Sequence, residues 1–230
     1  MIAWGGLLAL LVSSAALEAV YREQPLTFYC ACRFDPETKV VDHASCDYQP
    51  IRHTFRSDRV EWEHVVPAEA FGRSFREWRE GAPGCVSSKG PYAGRRCARR
   101  NPVFARMEDD PHNLVPAIGE VNSRRRNYSM AMIPGEAKAF GACYVEIEDR
   151  KVEPRPRVRG DVARIYQYMH AKYPGRGIIS RRNRKLFEAW SRADPVDAWE
   201  CRRAALITRR TGIENPLLAR LCAGILEPPK

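Results

Sequence analysis

Glu63 and His64 stand side by side in the run Glu61-Trp62-Glu63-His64-Val65-Val66-Pro67-Ala68. Successive side chains of an extended chain leave opposite faces, so this carboxylate and imidazole need not share one partner. The carboxylate can hold a hard cation, while the imidazole, brought round by the turn that Pro67 starts, takes a proton from water. The imidazole must be neutral for that task, so the rate should rise through its titration, about 6.5 if the site leaves it unshifted. A second run, His112-Asn113-Leu114-Val115-Pro116-Ala117-Ile118-Gly119-Glu120-Val121-Asn122, adds the amide oxygen of Asn122 near the start of a helix. Glu, Asn and water form an oxygen set suited to magnesium rather than zinc. A zinc peptidase is excluded by spacing, because no second His lies one helical turn from a Glu-His pair.

The blocks EWEHVVPAEAFG, MEDDPHNLVPAIGEVN and WEC, with the opening Phe28-Tyr29-Cys30-x-Cys32, resemble the endonuclease I family of periplasmic and secreted bacterial nucleases. The resemblance runs from Phe28 to Cys222. It implies a ββα-metal active site in which Glu63 and Asn122 bind the metal, magnesium or else calcium or manganese, and His64 is the general base. It also implies an endonuclease that hydrolyses DNA, with RNA left open, without sequence specificity; departure of the 3′ oxygen gives 5′-phosphate ends. The family's transition-state arginine matches Arg95 best, two residues before Cys97, with Arg96 and Arg99 as rivals, because the excursion from Gly81 to Arg100 is longer than the family's corresponding region. Arg124 departs from the family pattern, which is acidic there. A secreted nucleic-acid-binding protein that keeps this scaffold without cleaving is the alternative, but a pure binder has no need of a base beside a metal ligand.

The 230 residues carry 38 Lys and Arg against 28 Asp and Glu, a net +10, which points to a polyanionic partner. Arginine far outnumbers lysine and is the better bidentate phosphate ligand. Arg56, Arg59, Arg96, Arg99, Arg124, Arg125 and Arg126 are the candidate backbone contacts. No element presents Asn, Gln or Arg to a groove for base readout, so binding should be sequence-independent and salt-sensitive.

Ile2 to Ala16 is apolar and ends in small residues, which reads as a secretory signal cleaved after Ala15, Ala16 or Ala19, here taken as residues 1–19 before a nuclease domain of 20–230. Its n-region lacks Lys or Arg, but the run falls short of the roughly 18 to 20 apolar residues of a good membrane span. A periplasmic or secreted monomer without membrane association after cleavage is expected. Eight cysteines behind such a leader imply four disulfides, and the absence of CxxC argues against zinc. Proximity favours Cys32 with Cys46, Cys85 with Cys97 and Cys201 with Cys222, leaving Cys30 with Cys143 as the remainder.

The elements that must position these groups follow from pattern. Ala68 to Phe75 reads as a short helix, Gly81 to Arg100 as a surface loop, Leu114-Val115 as a buried strand, and Gly119 to Asn127 as a helix with Asn122 on the face of Ile118. Ala142 to Ile147 alternates like a strand. Val162, Ile165, Tyr166 and Met169 give a helix over 161–172 one buried stripe. Ser180 caps a second helix, Asp197 with Glu200 a third over 197–210, and Asn215-Pro216 opens a fourth. The expectation is an α+β fold: one mixed domain with a central ββα-metal motif and a helical C-terminal half, stapled by disulfides.

Overall fold

A computed structural model describes residues 14–135 and 139–225. Its centre is an antiparallel pair, β1 (Val60–His64) and β4 (Leu114–Ile118), whose register runs from Val60 opposite Ile118 to His64 opposite Leu114. Every residue of β4 is buried. Helix α6 (Gly119–Arg125) follows β4 without a linker. That abrupt turn depends on Gly119: an added Cβ would lie 2.7 Å from the Arg56 carbonyl oxygen and 2.7 Å from Glu61 Oε1. The exit from β1 is fixed by Asn113, which accepts from the Val66 N–H at 2.7 Å and donates to the Val66 carbonyl at 3.0 Å. One amide thus saturates both backbone groups of a buried residue.

Between these strands the chain makes α2 (Ala68–Gly72), α3 (Arg76–Arg79), the small hairpin β2 (Val86–Ser87) and β3 (Gly90–Pro91), then α4 (Arg95–Ala98) and α5 (Pro102–Glu108). The helix expected over 68–75 ends at Gly72, and the chain is extended again at Phe75, the N-cap of α3; Gly72 has no side chain where the Trp78 ring packs. The expected surface loop 81–100 is more ordered than its composition suggests, since Cys85–Cys97 closes it and α4 ends it. The expected strand 142–147 forms later, as β6 (Glu146–Glu148). It pairs antiparallel with β7 (Lys151–Glu153), which β5 (Ser129–Met130) joins in parallel.

The C-terminal half is helical as anticipated. In α7 (Arg159–Lys172) Val162, Ile165, Tyr166 and Met169 are all buried. Ser180 caps α8 (Arg181–Ala193), accepting from the Asn183 N–H at 3.2 Å. Asp197 caps α9 (Ala198–Thr211), accepting from the Glu200 N–H at 2.7 Å. The reciprocal half of a capping box does not form, because the Glu200 carboxylate is taken by buried Arg164. Asn215 opens α10 (Pro216–Leu221). One core of buried side chains runs through both halves, including Val60 and Ile118 from the strand pair and Val162, Phe187 and Ile207 from the helices. The four disulfides pair as expected, Cys30–Cys143 included.

Residues 1–13 of the segment read as a leader lie outside the described residues. Residues 14–21 form a helix, α1, whose Leu17 and Val20 are fully buried. A mature chain starting at Val20 would therefore lose a core side chain, whereas a start ahead of α1 would keep it. Among the described residues no helix is long and apolar enough to cross a membrane.

Candidate active site

Strand alternation divides β1 between two environments. Glu61 and Glu63 face α6, while Trp62 and His64 face a cavity of about 360 Å³ that Leu17, Arg95, Arg99 and Glu108 also line. On the α6 side the contacts match residue by residue. Asn122 donates from Nδ2 to Glu61 Oε2 at 2.9 Å, and one turn on, Arg125 Nε lies 3.1 Å from Glu63 Oε1. Positions three apart on a helix share a face. Asn122 and Arg125 therefore sit opposite Glu61 and Glu63, two apart on the strand.

Glu63 is buried, and its Oε1 also accepts from the Tyr29 hydroxyl at 3.2 Å. Burial pushes its carboxyl up to about 7 against the pull of Arg125. Arg125 is 1% exposed, and besides Glu63 it donates to the His64 carbonyl at 3.1 Å and to the Val65 carbonyl at 2.5 Å. The expectation that Arg125 contacts nucleic acid is thereby corrected: it ties α6 to the end of β1. Three consecutive arginines diverge because helical residues are set about 100° apart. Arg124 pairs with Glu120 at 3.2 Å, and Arg126 is exposed beyond the helix end, at φ 52°, where the expected helix to Asn127 stops short.

On the other face His64 Nε2 lies 2.8 Å from the Glu108 carbonyl oxygen. A carbonyl only accepts, so Nε2 carries the hydrogen and Nδ1 keeps the free lone pair. Burial lowers the imidazole to about 4, well below the 6.5 of an unshifted ring, so His64 is neutral over the ordinary pH range. Glu108 meanwhile ion-pairs with both Arg95 and Arg99. Arg99 is further committed to Asp109, at 3.0 and 3.1 Å. Arg95 spends only Nε on Glu108, and its side chain is 57% exposed. Arg96 packs over the Tyr92 ring, 4.6 Å from its centroid. Of the three rivals, Arg95 alone combines a place beside His64 with free outer nitrogens.

The remaining basic candidates are partly engaged. Arg56 grips Glu61, its Nε 2.7 Å from Oε1, and Arg59 donates to the Thr38 carbonyl at 2.6 Å. Arg56, Arg124 and Arg126 line a separate groove of about 800 Å³ with Arg52 and Arg150.

The donor set can be tested against a hard cation. Glu63 has Oε1 committed to Tyr29 and Arg125, and Asn122 has Nδ2 committed to Glu61, which leaves Oε2 and Oδ1 as the atoms a cation would take. Among the described residues no three His, Cys, Asp or Glu side chains gather as a metal cage. A carboxylate and an amide with water at the other positions suit magnesium, which sheds water reluctantly. Glu61, Glu108 and Tyr29 escaped the sequence reading. Only Glu61 carried a signal, the i, i+2 spacing that puts it on the face of Glu63.

A sequence profile of the family Endonuclease I matches residues 8–222. The chain belongs to the endonuclease I family. It is 40% identical over 211 residues to an extracellular deoxyribonuclease of Aeromonas hydrophila, covering 90% of this chain and 87% of that protein. It is 39% identical to a periplasmic deoxyribonuclease of the same organism, covering 90% and 83%. Endonuclease-1 of Buchnera aphidicola subsp. Acyrthosiphon pisum (strain APS) is 34% identical over 207 residues, covering 88% and 77%. Membership of the endonuclease I family makes the chain a nuclease, and the α+β fold with four disulfides agrees with the resemblance carried by EWEHVVPAEAFG.

Proposed function

We propose that the protein is a secreted or periplasmic endonuclease that hydrolyses DNA phosphodiester bonds without sequence specificity, requires magnesium, and leaves 5′-phosphate ends. The observation that carries this reading is the bond from His64 Nε2 to the Glu108 carbonyl, which leaves Nδ1 as a neutral base one residue along β1 from Glu63. The relatives named as extracellular and periplasmic deoxyribonucleases support DNA as the substrate and the oxidising compartment.

In the reaction His64 Nδ1 takes a proton from the attacking water, and Arg95 meets the charge that builds on the phosphate oxygens. Glu63 and Asn122 would hold the cation through Oε2 and Oδ1. Bound magnesium would supply charge neutralisation at the phosphate and stabilise the leaving 3′ oxygen. An in-line displacement has its attacking and leaving oxygens on opposite sides of phosphorus.

The test is degradation of plasmid and of a single-stranded RNA by the purified oxidised protein, with magnesium and with EDTA, followed by end-labelling of the products. Cleavage of DNA that EDTA stops and magnesium restores, with ends that a kinase labels only after phosphatase treatment, is the expected result. Retention of DNA without cleavage under any divalent cation would favour the non-catalytic binding protein.

A further inference from the structure

We propose that Glu61 is a positioning residue that sets the orientation of the Asn122 amide, and so decides whether that side chain offers a cation its oxygen or its nitrogen. The inference rests on the reading that Asn122 Oδ1 is a ligand.

Both oxygens of Glu61 are occupied by donors. Arg56 Nε donates to Oε1 at 2.7 Å and its Nη2 donates to Oε2, while Asn122 Nδ2 donates to the same Oε2 at 2.9 Å. A carboxylate paired to a guanidinium in this way has no hydrogen to give. Asn122 must therefore turn its NH2 toward Glu61, because the flipped amide would set oxygen against oxygen. Oδ1 is then directed away from Glu61, free for a cation. An isolated Asn has no such preference, since its two ends differ little in size.

Gly119 supports the assignment independently. A Cβ there would fall 2.7 Å from Glu61 Oε1, so the missing side chain is what lets the carboxylate lie against the first turn of α6, within reach of Asn122. Arg56 is by the same geometry a clamp on Glu61, at the edge of the groove that it also lines.

The experiment is a Mn²⁺ titration followed by electron paramagnetic resonance on the purified oxidised protein, comparing wild type with Glu61→Ala, Glu61→Gln and Asn122→Ala. Circular dichroism melts verify folding, and Glu61→Ser replaces the alanine variant if it does not fold. Partners that orient a metal ligand typically contribute about 10- to 100-fold in affinity, and that loss is expected for Glu61→Ala. Glu61→Gln should recover most of it, because the glutamine oxygen still accepts from Asn122 Nδ2. If Glu61→Ala binds Mn²⁺ like wild type while Asn122→Ala is weakened, the positioning role is wrong and the cation site stands. If Asn122→Ala binds unchanged, the ligand reading fails and takes this inference with it. If Glu61→Gln loses as much as Glu61→Ala, the charge itself matters and Glu61 meets the cation directly, which overturns positioning.

Discussion

On one face of β1, Glu61 and Glu63 lie against α6 and take their partners from Asn122 and Arg125; on the other, Trp62 and His64 look onto a cavity edged by Arg95, Arg99 and Glu108. Both faces are crowded with charge, yet they use it differently. Glu63 is buried against a buried arginine, an arrangement that holds two elements together as well as offering an oxygen. The His64 ring bonds the Glu108 backbone carbonyl, which fixes its tautomer, while burial keeps it neutral. A strand of period two thus sends Glu63 and His64 to different surroundings while leaving them one residue from each other, and the proposed function gives the cation to the first and the proton to the second.

The largest effect should come from the imidazole face. His64→Ala is expected to lower kcat by about 10²- to 10⁴-fold, the range for a positioned general base, in a plasmid-nicking assay at saturating magnesium. A variant that nicks at the wild-type rate would remove His64 from the reaction. Arg125→Ala acts on the other face and on stability rather than on substrate. Breaking a buried ion pair leaves Glu63 uncompensated, at a cost of about 3 to 5 kcal/mol by urea unfolding. Were Arg125 a phosphate contact instead, the variant would unfold like wild type and lose salt-dependent DNA affinity.

A smaller loss, about 10²-fold in kcat, is expected for Arg95→Ala, since a donor to the developing phosphate charge acts in the transition state. Arg99→Ala should lose less turnover and more stability, because both its carboxylate partners are protein groups. Equal losses of turnover in the two variants would place both arginines on the phosphate.

How far these faces could be read in advance differs sharply. The alternation of Glu63 and His64 was visible in EWEH, because period two is local. The three sequence-local disulfides were visible for the same reason, and the stripe of Val162, Ile165, Tyr166 and Met169 followed from helical period. What stayed hidden depends on pairing between distant segments. That Asn122 meets Glu61 is fixed by the register of Val60 with Ile118 and by the turn at Gly119. That Arg125 is buried between two exposed-looking neighbours depends on which side of α6 meets β1. The helix 14–21 was absorbed into an apolar run that composition assigns to a leader, and Leu17 shows its burial only once the core is assembled.

A last expected effect, away from both faces, concerns stability and pH. Buried His112 donates from Nε2 to the Ile213 carbonyl at 2.9 Å, and burial lowers it to about 4. The unfolded chain binds this proton near 6.5, so between about 6.5 and 4 the unfolded state holds more protons and stability falls as pH falls. The contribution is fully present above about 6.5 and is lost on the way down to 4. His112→Gln, whose amide can still donate to Ile213, should flatten this slope in urea unfolding at a series of pH values. An unchanged slope would assign the acid sensitivity to other groups.

The division of labour across β1 is tested most directly by Mn²⁺ affinity in His64→Ala and Glu63→Ala, measured on folded, oxidised protein without DNA. His64→Ala should bind as tightly as wild type, and Glu63→Ala should lose its binding, since the carboxylate supplies the only ligand charge. Weakened binding in His64→Ala together with unchanged binding in Glu63→Ala would contradict the assignment of the cation to one face and the proton to the other.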